Sequence, residues 1–205
     1  MRILLTAVMV AGSLAVTQSV VPVHEEPLHT PVFENRWVRV LDVRFDAGAQ
    51  SLYHRHALHN LAVRIVGGTT RADPMGGEGV PRHSPTGSVA FHSASPPYVH
   101  RVANVGSAAV RIVDVELLGA RSMPDTGATD DLASHDVEIE NEHVRVSRVR
   151  LRPGESLSAH THPRAWLDVV VTGVDPGGVA WHAPGSRVAV AGGAAPIEYV
   201  EIEPR

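Results

Sequence analysis

Short apolar runs rich in Val, Leu and Ile recur along the chain at Val38–Phe45, Leu61–Val66, Val110–Leu117 and Leu167–Thr172. Gly and Pro clusters bound them at regular spacing, and apolar and polar positions alternate within them, which is the period of a β-strand. After the N-terminal segment no stretch carries a helical period of ten or more residues, so an all-β chain is predicted. Alternation from Asn60 puts Asn60, Ala62 and Arg64 on one face of a strand and Leu61, Val63 and Ile65 on the other.

The N-terminus is patterned differently. Arg2 precedes an apolar run from Ile3 to Val16, with small residues following at Thr17 and Ser19, which reads as a secretory signal over residues 1–19. As a helix that run would span about 21 Å against the roughly 30 Å hydrocarbon core, so no stable membrane span is expected after cleavage. A secreted or periplasmic protein follows.

Sliding the sequence by 106 positions aligns Glu34–Gly67 with Glu140–Gly173 without a gap, and thirteen of the thirty-four positions are identical, among them Gly48/Gly154, His54/His160, His56/His162 and Gly67/Gly173. An internal repeat of strand-patterned segments predicts two β-barrel or jelly-roll lobes. The expected boundaries are an N-terminal lobe at 20–118, a linker at 119–133 and a shortened C-terminal lobe at 134–205. The shortening removes the equivalent of Thr69–Ser88, a Gly- and Pro-rich stretch that reads as a loop and a candidate lid.

Composition narrows the chemistry. A chain of 205 residues that is 43% hydrophobic can bury a core. All eighteen basic residues are Arg and the formal charge is -4, which argues against a nucleic-acid partner. The absence of Cys excludes disulfides, thiolate metal sites and a cysteine nucleophile. What stands out is thirteen His, the side chain most used for metal ligation and proton transfer near neutral pH.

On one strand His54 and His56 point the same way, about 6–7 Å apart along the backbone, close enough to converge on one ion. The bland alternative is a pair of polar residues on a solvated face. Gly48, His54-Arg55-His56, Asn60 and Gly67 resemble the first motif of the cupin superfamily, and His100-Arg101-Val102-Ala103-Asn104 resembles the end of the second. The resemblance implies tandem cupin (jelly-roll β-barrel) lobes and a metal held by His54, His56 and His100 in the first. Fe(II) is the favoured ion, with Mn(II), Ni(II) or Zn(II) as alternatives. Asn60 stands where the family carries Glu, and Trp166 stands there in the second copy, as an apolar plug. With His160 and His162 as its only matching ligands, the second lobe is expected to be metal-free.

Three neutral imidazoles and an amide would leave a divalent ion its full charge, so the expected partner is a small anionic chelating molecule. Arg64 is a candidate for holding its carboxylate, the alternative being a structural Asp or Glu partner. Asn60 joins it in the substrate-binding set, and His59 and Tyr98 are the candidates for moving protons. A slip in the turn could bring His59 to the metal in place of Asn60. His92 and His182, equivalent in the two copies, read as fold residues; His24, His29, His83, His135 and His143 read as surface.

These readings lead to a metal-dependent oxidoreductase resembling three-histidine dioxygenases, or to isomerase or lyase chemistry. A non-catalytic cupin that captures a small molecule or metal, and a pure scaffold, are the other classes. The outward set Leu61, Val63 and Ile65 can cover the other lobe and leaves room for a homodimer.

Overall fold

The computed structural model describes residues 19–119, 123–127 and 135–205, so the expected signal lies outside the described residues save for Ser19, as does much of the expected linker. The strands of the first lobe are β1 Val20–Pro22, β2 His29–Glu34, β3 Val38–Phe45, β4 Tyr53–His56, β5 Asn60–Val66, β6 Gly68–Pro74, β7 Arg82–Ser84, β8 Val89–His92, β9 Tyr98–Asn104 and β10 Val110–Leu117. Those of the second are β11 Asp136–Glu140, β12 Val144–Leu151, β13 Leu157–His160, β14 Trp166–Thr172, β15 Val179–His182, β16 Val188–Val190 and β17 Ile197–Pro204. No α-helix occurs among the described residues, and no helix there is long and apolar enough to cross a membrane.

The first lobe is two five-stranded sheets, ordered β2-β3-β10-β5-β8 and β1-β4-β9-β6-β7. The second repeats the first of these as β11-β12-β17-β14-β15, but its facing sheet is only β13-β16. The large equivalent sheets pack face to face. Leu61, Val63, Val113 and Val115 meet Val144, Val146, Leu167, Val169, Val200 and Ile202 in one cluster, each completely shielded from solvent. Burying a Val or Leu side chain stabilises by roughly 1.5–3 kcal/mol, so this seam is a main source of cohesion between the lobes. It also covers the apolar set that left room for a dimer.

Two arginines clasp the seam from opposite sides. Arg111, paired with Asp42, donates to the Pro176 carbonyl at 2.6 Å, and Arg148, held by Glu138 and Glu198, donates to the Gly87 carbonyl at 2.5 Å. Asp42 and Arg148 are repeat-equivalent positions, so the acidic partner of one clasp stands where the other has its arginine.

The segment Thr69–Ser88 corrects the expectation of a loop. Residues from Gly68 to Ser84 supply β6 and β7, which pair as Gly68↔Ser84 to Thr70↔Arg82, and β6 also pairs with β9. Buried Asp73 accepts from Arg71 and Arg101, tying β6 to β9. Gly and Pro had hidden these strands by marking the turn between them. The second lobe thus lacks a barrel wall rather than a lid.

The motif residues outside the site have structural reasons. Gly48 and Gly154 have φ of 78° and 79°, in the left-handed region that only glycine enters without strain. The Asn104 amide nitrogen lies 2.8–3.2 Å from the carbonyls of Phe45, Asp46 and Ala108, closing the loop between β9 and β10 on the loop after β3. Asn104→Ala strands these buried carbonyls and is expected to cost about 2–3 kcal/mol; the check is a lowered urea midpoint with unchanged slope.

Candidate metal centre

Strand pairing brings the sequence-distant ligands together. β4 and β9 run antiparallel with His54↔His100 and His56↔Tyr98 in register, so all four side chains point into the lumen of the first lobe. The ring centroids of His54, His56 and His100 form a near-equilateral triangle with sides of 4.7, 5.1 and 5.0 Å. One ligand-type nitrogen from each lies within 4.8 Å of the others, a spacing that a single ion can bridge.

The tautomers are set from outside. His54 Nδ1 donates to the Leu52 carbonyl at 3.0 Å, which leaves Nε2 as a bare lone pair, and that buried atom has no partner. Burial first, then the repulsion of neighbouring imidazoles, pushes the pKa of His54 down to about 4, of His56 to about 2 and of His100 to about 3. All three are neutral at pH 7, the state that binds metal. An orphaned lone pair and two converging neutral rings fit a divalent cation.

Asn60 is not a surrogate ligand so much as the partner of one. Its amide nitrogen donates to His56 Nδ1 at 2.7 Å and to the Tyr98 hydroxyl at 3.2 Å. If His56 coordinates through Nε2, its Nδ1 carries the proton; turning the carboxamide over then lets Oδ1 accept from both Nδ1–H and the phenol. Tyr98 stacks on His56 at 4.8 Å and 15°, and burial pushes its pKa up to about 12, so it stays a donor.

The site opens into a cavity of about 250 Å³. Arg64, Asn60, Ala62 and Tyr98 line it, as strand parity predicted. A second cavity of about 610 Å³, bounded by β7 residues Arg82–Ser84, shares Arg64, His92, Thr70 and Ala72 with the first, so the guanidinium stands where the two adjoin. Arg64 forms no ion pair among the described residues, and its Nη1 is buried without a partner. Asp114 also faces the lumen, but burial and the nearby Glu116 raise its pKa to about 8, against the opposing pull of Arg64. It therefore does little to cancel the arginine's charge at pH 7.

His59 departs from expectation. It lies outside the cavity, stacked on Phe91 and at 4.0 Å on His143 of the other lobe, and its Nδ1 accepts from the Ala94 amide. The slipped alternative for the metal is thereby excluded in favour of Asn60's position. His143 is accordingly half-buried at the lobe interface rather than on the surface. His29, read as surface, is buried with its ring 4.7 Å from that of His54 and is bonded to Glu26 at 2.5 Å. His92 lines the cavity, whereas its equivalent His182 bonds Asp168 at 2.8 Å. His135, also read as surface, is buried together with His160, His162 and Glu201. The second lobe, credited with two ligands, thus gathers four ligand-type side chains. One signal could have found two of these residues: the offset of 106 carries His29 onto His135.

No family model matches the chain, and no curated protein matches it. Solved structures do. The protein YhaK from Escherichia coli superimposes with a TM-score of 0.59 at 11% identity, over 87% of this chain and 92% of that one. A cupin 2 conserved barrel domain protein from Leptotrichia buccalis gives 0.55 at 11%, over 88% and 89%. An oxalate decarboxylase from Lactobacillus farciminis gives 0.58 at 11%, over 82% and 77%. The fold is that of a two-lobed cupin. At these identities the likeness establishes architecture, and the chemistry of this chain rests on its own residues.

Two outcomes test the site. Asn60→Ala should weaken divalent metal binding about 10–100-fold, read by competition with a chromophoric chelator. In metal-free protein the three imidazoles have folded pKa values far below their unfolded value near 6.5, so the unfolded chain binds more protons below that pH. Their contribution is intact above pH 7 and is lost as pH falls through 6.5 toward 4, by up to about 1.4 kcal/mol per pH unit for each ring. Melting temperature should therefore fall between pH 7 and 5 more steeply for wild type than for a His54→Asn, His56→Asn, His100→Asn triple variant.

Proposed function

We propose that the protein is an exported, metal-dependent enzyme of the oxidoreductase class, dioxygenase-like, acting on a small chelating anion in the first lobe. The observation that carries this reading is the buried, unpaired Nη1 of Arg64 in the same cavity as three neutral, converging imidazoles. A buried cationic group that makes no ion pair among the described residues is suited to bind an anionic guest.

A bound divalent ion, Fe(II) in the favoured reading and Mn(II), Ni(II) or Zn(II) otherwise, would polarise a chelating substrate or activate oxygen beside it. The chain's own groups then have separate tasks. Arg64 holds a carboxylate bidentately, one N–H to each oxygen; Tyr98, protonated at neutral pH, donates a hydrogen bond or closes onto Asn60. Asp114 is the carboxyl best placed to give or take a proton near pH 7, because its pKa of about 8 is close to working pH. Isomerase or lyase chemistry on the same substrate class would use the same groups. Among the structural neighbours, the oxalate decarboxylases support a small carboxylic acid as guest. The absence of a carboxylate at position 60 favours the alternative, a module that retains a ligand without converting it.

The test is elemental analysis of anaerobically purified protein, followed by oxygen uptake and product analysis with a panel of small chelating acids that includes oxalate. Near-stoichiometric metal that falls by about one ion per chain in a His54→Ala, His100→Ala variant is expected, with turnover of at least one acid. Arg64→Gln should keep the metal and weaken acid binding at least tenfold, about 1.4 kcal/mol. Unchanged metal content in the histidine variant would sink the reading, and tight acid retention without product would select the binding module.

A further inference from the structure

The second lobe contains a buried group that the proposed function leaves unused. His135 precedes β11, His160 ends β13, His162 lies in the following turn and Glu201 is on β17; all four are buried. One ligand-type atom from each lies within 4.8 Å of the others. His135 Nε2 and His162 Nε2 are 2.9 and 3.2 Å from Glu201 Oε2, and His160 Nε2 is 3.0 Å from Oε1. In a tetrahedral site with bonds near 2.05 Å, neighbouring ligand atoms stand about 3.3 Å apart.

Hydrogen bonding accounts for part of this arrangement, joining His160 Nε2 to Glu201 Oε1. Both nitrogens of His162 and Glu201 Oε2 lie at contact distance from polar atoms, yet lack the alignment of a hydrogen bond. Groups converging on a common point produce that combination, whereas donors aimed at acceptors do not. His160 supplies an independent indication. Its Nδ1 faces the Ser158 carbonyl at 3.4 Å, the counterpart of His54 and Leu52 in the first lobe. With Nδ1 turned to that carbonyl, Nε2 is the nitrogen that faces Glu201 Oε1, at 3.0 Å, as it would within one coordination shell.

We infer that His135, His160, His162 and Glu201 form a second metal site, a closed four-coordinate centre for Zn(II) with a structural role. Its set differs from that of the first lobe, because Trp166 occupies the position of Asn60 and Val188 pairs with His160 where His100 pairs with His54; His135 from the segment before β11 and Glu201 from β17 enter instead. Three imidazole nitrogens and one carboxylate suit a borderline cation, and burial of all four leaves no open position for substrate. The ligands join the two sheets of the lobe, since β17 belongs to the five-stranded sheet and β13 to the two-stranded one. That two-stranded sheet lacks the counterparts of β6 and β7, so a metal cross-link falls where the barrel has least β-structure to close it.

The test uses the full chain carrying His54→Ala, His56→Ala and His100→Ala, which removes the first site and makes the result independent of the proposed function. After chelation and titration with Zn(II), this chain is expected to bind about one ion and to melt at a higher temperature when loaded. Co(II) in place of Zn(II) should give the intense visible bands of a tetrahedral ion. Adding Glu201→Gln, with folding checked by circular dichroism, should lower affinity at least 100-fold. Failure to bind Zn(II), a weak octahedral Co(II) spectrum, or undiminished affinity in a folded Glu201→Gln chain would overturn the inference. If that chain does not fold, the Co(II) spectrum of its parent decides.

Discussion

The apolar seam between the two large sheets is the constraint from which the rest of the structure follows. Leu61, Val63 and Ile65 are drawn into it, and because side chains alternate along a strand, Asn60, Ala62 and Arg64 must then face the lumen of the first lobe. The same argument on β10 commits Val113 and Val115 to the seam and Asp114 to the lumen. A one-residue slip of either strand would expose the seam and bury the wrong set. Orientation of the polar site is thus secured by apolar burial, which can outweigh the cost of desolvating an arginine and several histidines in one cavity.

The two lobes show how one inherited strand pattern supports opposite sites. Each begins from two histidines two residues apart after a glycine turn, and in each the first ring's Nδ1 faces the carbonyl two residues before it. The first lobe keeps β6 and β7, and with them a walled cavity whose three imidazoles are neutral and whose arginine makes no ion pair among the described residues. The second has no such strands, fills the position of Asn60 with Trp166, and surrounds its histidines with Glu201 and Glu203. Burial alone would push His162 toward the neutral form, yet these two carboxylates raise its pKa to about 9. An open, cationic lumen and a closed, charge-balanced one therefore share a fold.

By itself the sequence determined the all-β class, the two lobes and the direction of the principal side chains, because period-two alternation and an internal repeat are local properties that survive without coordinates. It also determined that His54 and His56 share a face, since two residues on one strand leave no other choice. Only the tertiary structure decided which distant groups join them. His29, His135 and Glu201 reach their sites through sheet-to-sheet packing, and no spacing along the chain encodes that approach. The strands β6 and β7 were concealed for a related reason: Gly and Pro report the turn between them, whereas their strand conformation is fixed by pairing with each other and with β9. His59 was misplaced because a turn ends the alternation that parity reasoning requires, and its ring is held by Phe91 and by His143 from the other lobe.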